Sequence, residues 1–96
     1  RKSVLDAMEN REAWRTDVPG AGVKDVRSAI SLNDRILFIR SLFGEDAVAF
    51  NDTLDGINSA SSFDEAVEAV KSSHPDWKYE SETVYRLMMA IRRRFR

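Results

Sequence analysis

The sequence predicts an all-α fold, a compact array of about five short helices around a central helix near residues 32–43. Three observations carry that expectation. Apolar residues recur three and four apart along most of the chain, as helices with one buried face require. Ser3, Ser31 and Ser62 precede such stretches, each with an acid three residues on, in the pattern that takes up a helix's first free N–H groups. No alternating strand pattern and no Asn-Gly hairpin signal occurs.

Taken in order, residues 2–15 read as a first helix, with Ser3 and Asp6 as its cap and Val4, Leu5 and Met8 on one side. Trp14 points away from that side and is expected to hold down an N-terminal arm while partly exposed. Residues 16–22 contain Pro19, Gly20 and Gly22 and form the only obvious linker. The expected organisation is therefore an N-terminal helix and linker over residues 1–22 and a compact helical domain over 23–96. Val23, Val26 and Ile30 then suggest one or two short turns over 24–29.

The central helix is expected after Ser31 and before Gly44, which suits the left-handed position that ends a helix. At helical pitch, Leu32, Ile36, Ile39, Leu42 and Phe43 share one arc, with Leu37 and Phe38 outside it. So many apolar sides predict burial on many sides. Ala47, Phe50, Leu54 and Ile57 form a narrower stripe for an antiparallel neighbour. Ser62 and Glu65 open a short helix with Phe63, Ala66, Val67 and Val70 inward, and Pro75 makes 73–76 a loop delivering Trp77. The last helix is expected from about residue 80 to 95, with Val84, Leu87, Met88, Ile91 and Phe95 inward.

Composition bounds the function classes. Ninety-six residues suit one domain burying roughly 65% of its extended surface. No apolar run approaches the ~20 residues of a membrane span, so no membrane insertion by this segment is expected. A cytoplasmic location is the expectation, carried by no signal of its own, since a chain that opens on Arg1 shows nothing of what precedes it. Without cysteine there is no disulfide framework, zinc-thiolate site or thiol nucleophile.

The net charge of −1 conceals a separation. Seven acids and no Lys or Arg lie between residues 44 and 70, whereas residues 86–96 hold five arginines and no acid. The expected roles of the arginines are to complement the negative end of the last helix and to pair with the acidic middle. A nucleic-acid regulator using Arg92, Arg93, Arg94 and Arg96 is the alternative, opposed by the overall acidity and by the lack of a recognition helix or aromatic RNA platform.

Catalytic and metal signals are weak. His74, the only histidine, precedes Pro75 in a polar loop with no base or metal partner nearby in sequence. Residues 51–62 resemble a calcium loop at Asp55 and Gly56, but Ser62 cannot replace its bidentate Glu. No phosphate-cradling glycine loop, nucleophile elbow or zinc helix motif occurs. No enzymatic activity, cofactor or metal is expected.

The expected function is a non-enzymatic protein-protein interaction or regulatory domain, a possible homo-oligomer, with nucleic acid as the less favoured partner. Its candidate contact surface is Tyr85, Met89 and Arg92, residue types enriched at interfaces and lying outside the inward stripe of the last helix. Asn33, Asp34 and Arg35 form a candidate polar motif. Asp34 suits the positive helix end and Arg35 is placed to reach an acid across the fold, so a cap and clamp is favoured over a recognition edge.

Ile30-Ser31-Leu32-Asn33-Asp34-Arg35, Phe38-Ile39, Leu42-Phe43-Gly44, Phe50-Asn51, Leu54, Ile57-Asn58, Ser62-Phe63 with Glu65-Ala66, Trp77 and Arg93-Arg94-Phe95 together form a pattern. Over about two-thirds of the chain, residues 29–95, this pattern resembles a family of small bacterial domains with no assigned function. The resemblance implies a compact all-helical fold and no catalytic or ligand residue.

Overall fold

Ser31 begins the first α-helix as the sequence anticipates, its Oγ accepting a hydrogen bond from the Asp34 N–H at 3.1 Å. A computed structural model describes residues 13–96, and among them four α-helices and no strand occur. They are α1 (Leu32–Leu42), α2 (Ala47–Ser59), α3 (Phe63–Ser73) and α4 (Glu82–Arg94). Two 3-10 turns, Ala13–Arg15 and Val26–Ala29, precede them. The count is four rather than about five: the turns expected over 24–29 are 3-10, and the helix expected over 2–15 falls, up to residue 12, outside the described residues.

Local chemistry explains the boundaries. Gly44 ends α1 at φ +58°, and the Glu45 N–H reaches back to the Ile39 carbonyl at 2.8 Å. Asp46 caps α2 through the Ala49 N–H, Ser62 caps α3 through that of Glu65, and Ser81 caps α4 through that of Val84. Glu65 completes the α3 cap by accepting from the Ser61 N–H at 3.0 Å.

The stripes expected on α2, α3 and α4 face the core. Phe50, Leu54 and Ile57 of α2, Ala66, Val67 and Val70 of α3, and Val84, Leu87, Met88 and Ile91 of α4 are all buried. Ala47 of α2 is exposed, and Phe63 and Phe95 are half-buried.

The centre of the fold is α4. It packs against both 3-10 turns, α1 and α3, which makes it the hub that 32–43 was expected to be. Helix α1 lies at the edge, and only Phe38 within it is fully buried. Its expected arc is split: Leu32 is 70% exposed and Ile36 49% exposed, while Ile39, Leu42 and Phe43 pack on the core and Phe38, placed outside that arc, is 1% exposed. A helix with apolar residues on two arcs gives no decisive wheel, so its orientation follows from its neighbours. Burial of Phe38 sets the inward side, and Asp34, about 40° from it at helical pitch, binds Arg86 of α4 there.

Trp14 is fully buried in the core rather than partly exposed. Its indole Nε1 donates to the Tyr79 carbonyl at 3.0 Å, and its ring meets Phe63 edge-on at 6.0 Å. Trp14 therefore packs with residues on the far side of the boundary expected at residue 22.

Candidate functional site

Three places bear on function: the end of α4 with the arm over it, the loop around His74, and the outer face of α1. At the first, the arginines bind backbone rather than acids. Arg92 Nη1 donates to the Trp14 carbonyl at 3.1 Å and to that of Asp17. Arg93 Nε donates to the Ala21 carbonyl at 2.7 Å and Arg96 Nη1 to that of Pro19 at 2.9 Å. In return the Val23 N–H donates to the Arg93 carbonyl at 2.9 Å, satisfying one of the last free carbonyls of α4. Three guanidinium groups thus hold residues 14–21 along the helix end. Arg94 donates to the Asn58 carbonyl at 2.9 Å, tying α4 to the end of α2.

The expected pairing of these arginines with the acidic middle is therefore not what their bonds form. Within residues 44–70, Asp55 has an arginine partner, and it is Arg27 at 2.9 Å. Arg27 also donates to the Asn51 carbonyl and side chain, and Asn58 bridges Asp25 and the Val26 N–H. This polar seam joins the second 3-10 turn to α2. Bonds from Arg27 and Asn58 hold the Asp25 carboxyl below its ordinary pKa.

In the candidate surface of Tyr85, Met89 and Arg92, the first and last are bonded to the same arm. Tyr85 Oη donates to Asp17 Oδ2 at 2.5 Å, and that bond to a carboxylate raises the phenol pKa. Met89 is half-buried against the core, and the Arg92 guanidinium lies 5.8 Å from the centre of the Phe63 ring. Tyr85 and Arg92 of this helix face thus meet the chain's own segment. Sequence reading had no means to see this, because carbonyl acceptors carry no residue signature.

His74 stacks on Trp77 with centroids 4.1 Å apart and planes 6° from parallel, while Phe43 meets it edge-on at 5.2 Å. Tyr79 Oη donates to the His74 carbonyl at 2.8 Å and Trp77 Nε1 to the Leu42 carbonyl at 3.0 Å. Burial lowers the imidazole pKa, with Asp76 opposing. Folding therefore favours the neutral ring, and the unfolded chain takes up the proton first as pH falls. The stability this gives is complete above the ordinary value of 6.5 and is lost as pH drops from there through the folded value. Thermal melts between about pH 8 and about pH 5 should show a decline that His74→Phe reduces. Parallel curves for the two proteins would refute it. Among the described residues no three His, Asp or Glu side chains converge as metal ligands.

The polar motif divides. Asp34 Oδ1 accepts from Arg86 Nη1 at 3.0 Å, and Arg86, also bonded to Glu82, has its pKa raised by both. The clamp across the fold therefore exists with its charges exchanged: the motif supplies the acid, not the arginine. Asn33 is exposed. Arg35, also exposed, makes no side-chain hydrogen bond or ion pair with a described residue and lines a groove of about 240 Å³ with Leu32, Arg27, Phe50, Asn51 and Leu54. On the other side of the Leu32–Ile36 ridge, Ile36, Leu37, Arg40 and Glu45 border a depression of about 430 Å³. The ridge was missed because its residues read as core.

Among the described residues no helix is long and apolar enough to cross a membrane. No curated protein and no solved structure matches the chain. Residues 27–96, from the second 3-10 turn through all four helices, match the model of a family described as Domain of unknown function (DUF8457), and the chain belongs to that family.

Proposed function

We propose that this is a non-catalytic protein-interaction domain whose contact surface is the outer face of α1. One observation carries the reading: Leu32, mostly in solvent, and Ile36, half in solvent, are neighbours one turn apart on a helix whose other side is anchored to the core. Large apolar side chains grouped on an ordered helix and bordered by grooves are what a partner covers. The single histidine is committed to an aromatic stack, which supports a binding role over acid-base chemistry. The face of Tyr85, Met89 and Arg92 is the less favoured contact, because residues 14 and 17 already take up its polar groups. Phosphate binding by the terminal arginines is disfavoured for the same reason, since Arg92, Arg93 and Arg96 are spent on the arm.

The test separates binding from stability. Leu32→Glu combined with Ile36→Glu changes exposed side chains, so the melting temperature should move by no more than about 4 °C. The double variant should lose the proteins that the unaltered domain retains from native lysate. Retention unchanged at equal loading would remove the reading.

A further inference from the structure

We propose that the outer face of α1 receives an amphipathic α-helix whose apolar stripe is flanked by acidic residues. This rests on the interaction reading above and adds the chemistry of the partner. At about 100° per residue, Arg35 lies about 60° to one side of Leu32 and Arg40 about 40° beyond Ile36 on the other. The apolar ridge thus runs between two arginines. Both are exposed, and neither guanidinium group bonds to a described residue, although Glu45 borders the depression beside Arg40. The single acid of α1, Asp34, is turned to the opposite side and held by Arg86.

Shape and charge then select the occupant. A ridge bounded by two grooves matches the relief of a helix, whose own side chains enter the grooves beside Leu32 and Ile36. Carboxylates on both flanks of that helix would meet Arg35 and Arg40, which present guanidinium groups suited to paired bonds. A second copy of this chain fits poorly, since an α1–α1 pair brings four arginines to one seam. A lipid surface fits poorly as well, because a flat surface fills neither of the grooves beside the ridge.

The experiment titrates the isotopically labelled domain with two synthetic helical peptides of about 18 residues. Each carries leucines at positions i, i+3, i+4 and i+7, one flanked by Glu and the other by Lys. The Glu-flanked peptide should shift the amide resonances of α1 and its bordering grooves and bind at least tenfold more tightly than the Lys-flanked one. That preference should fall as salt rises. Arg35→Glu with Arg40→Glu, both at exposed positions, should reverse it. Equal binding of the two peptides, absence of binding by the Glu-flanked one, shifts confined to another face, or tighter binding to phosphatidylglycerol vesicles would each overturn the proposal. If lysate proteins are lost by the Leu32/Ile36 variant but kept by the Arg35/Arg40 variant, the interaction reading stands and the acid-flanked helix does not.

Discussion

Replacing Trp14 with Ala is expected to destabilise the domain by about 3–5 kcal/mol, the range for truncating a large buried aromatic. Trp14 is wholly enclosed, packs edge-on against Phe63, and its indole N–H is matched to the Tyr79 carbonyl. Truncation leaves a cavity under the arm and a carbonyl without its donor. A chain of this size has a total stability of roughly 5–14 kcal/mol, so the loss removes a large part of it. Thermal unfolding should shift down by more than about 12 °C. Trp14→Phe retains most of the packing and loses the hydrogen bond, so it should fall between. The family match begins at residue 27, yet removal of residues 1–22 should be as damaging as the point substitution, because it removes the same side chain. A variant domain melting within 3 °C of the original would contradict the placement of Trp14 in the core.

Phe38→Ala should cost about 3–5 kcal/mol, while Leu32→Ala, six positions earlier on the same helix, should stay within about 0.5 kcal/mol. The contrast follows from orientation alone. Phe38 is enclosed among the core residues, whereas Leu32 keeps 70% of its surface in solvent. The sequence, with apolar residues on many sides of this helix, predicts that both are enclosed and that the two costs are comparable. Urea denaturation of the two variants, compared at equal m-values, distinguishes a helix enclosed on all sides from one with Leu32 outward. Equal costs would place α1 in the middle of the fold and would remove the exposed ridge on which the interaction reading depends.

The difference between α1 and the other helices explains which parts of the fold were legible. In α4, Val84, Leu87, Met88 and Ile91 form one stripe and the opposite side is charged, so a single orientation satisfies the pattern. The same holds for Ala66, Val67 and Val70 of α3. In α1 apolar residues occupy two arcs, and a wheel cannot choose between them. Packing of Phe38 into a core built by distant segments breaks the tie, and Asp34 meets Arg86, 52 residues away, on the same side. The functional residues follow that division. Arg35 is part of a motif visible in the sequence, but its exposure beside an apolar ridge becomes apparent only when α1 has been turned.

The sequence by itself determined the fold class, the starts of α1 and α3, the stop at Gly44 and the inward stripes of α2, α3 and α4. These depend on contacts within a few residues: a Ser hydroxyl on an N–H three positions on, a glycine at φ +58°, an apolar repeat at helical pitch. Only the tertiary structure decided that α4 is the hub, that Trp14 belongs to the core, that the terminal arginines grip the carbonyls of residues 14–21, and that Leu32 and Ile36 face outward. The physical reason is that each depends on groups far apart in the chain, and several on backbone carbonyls, which every residue possesses and no sequence pattern marks.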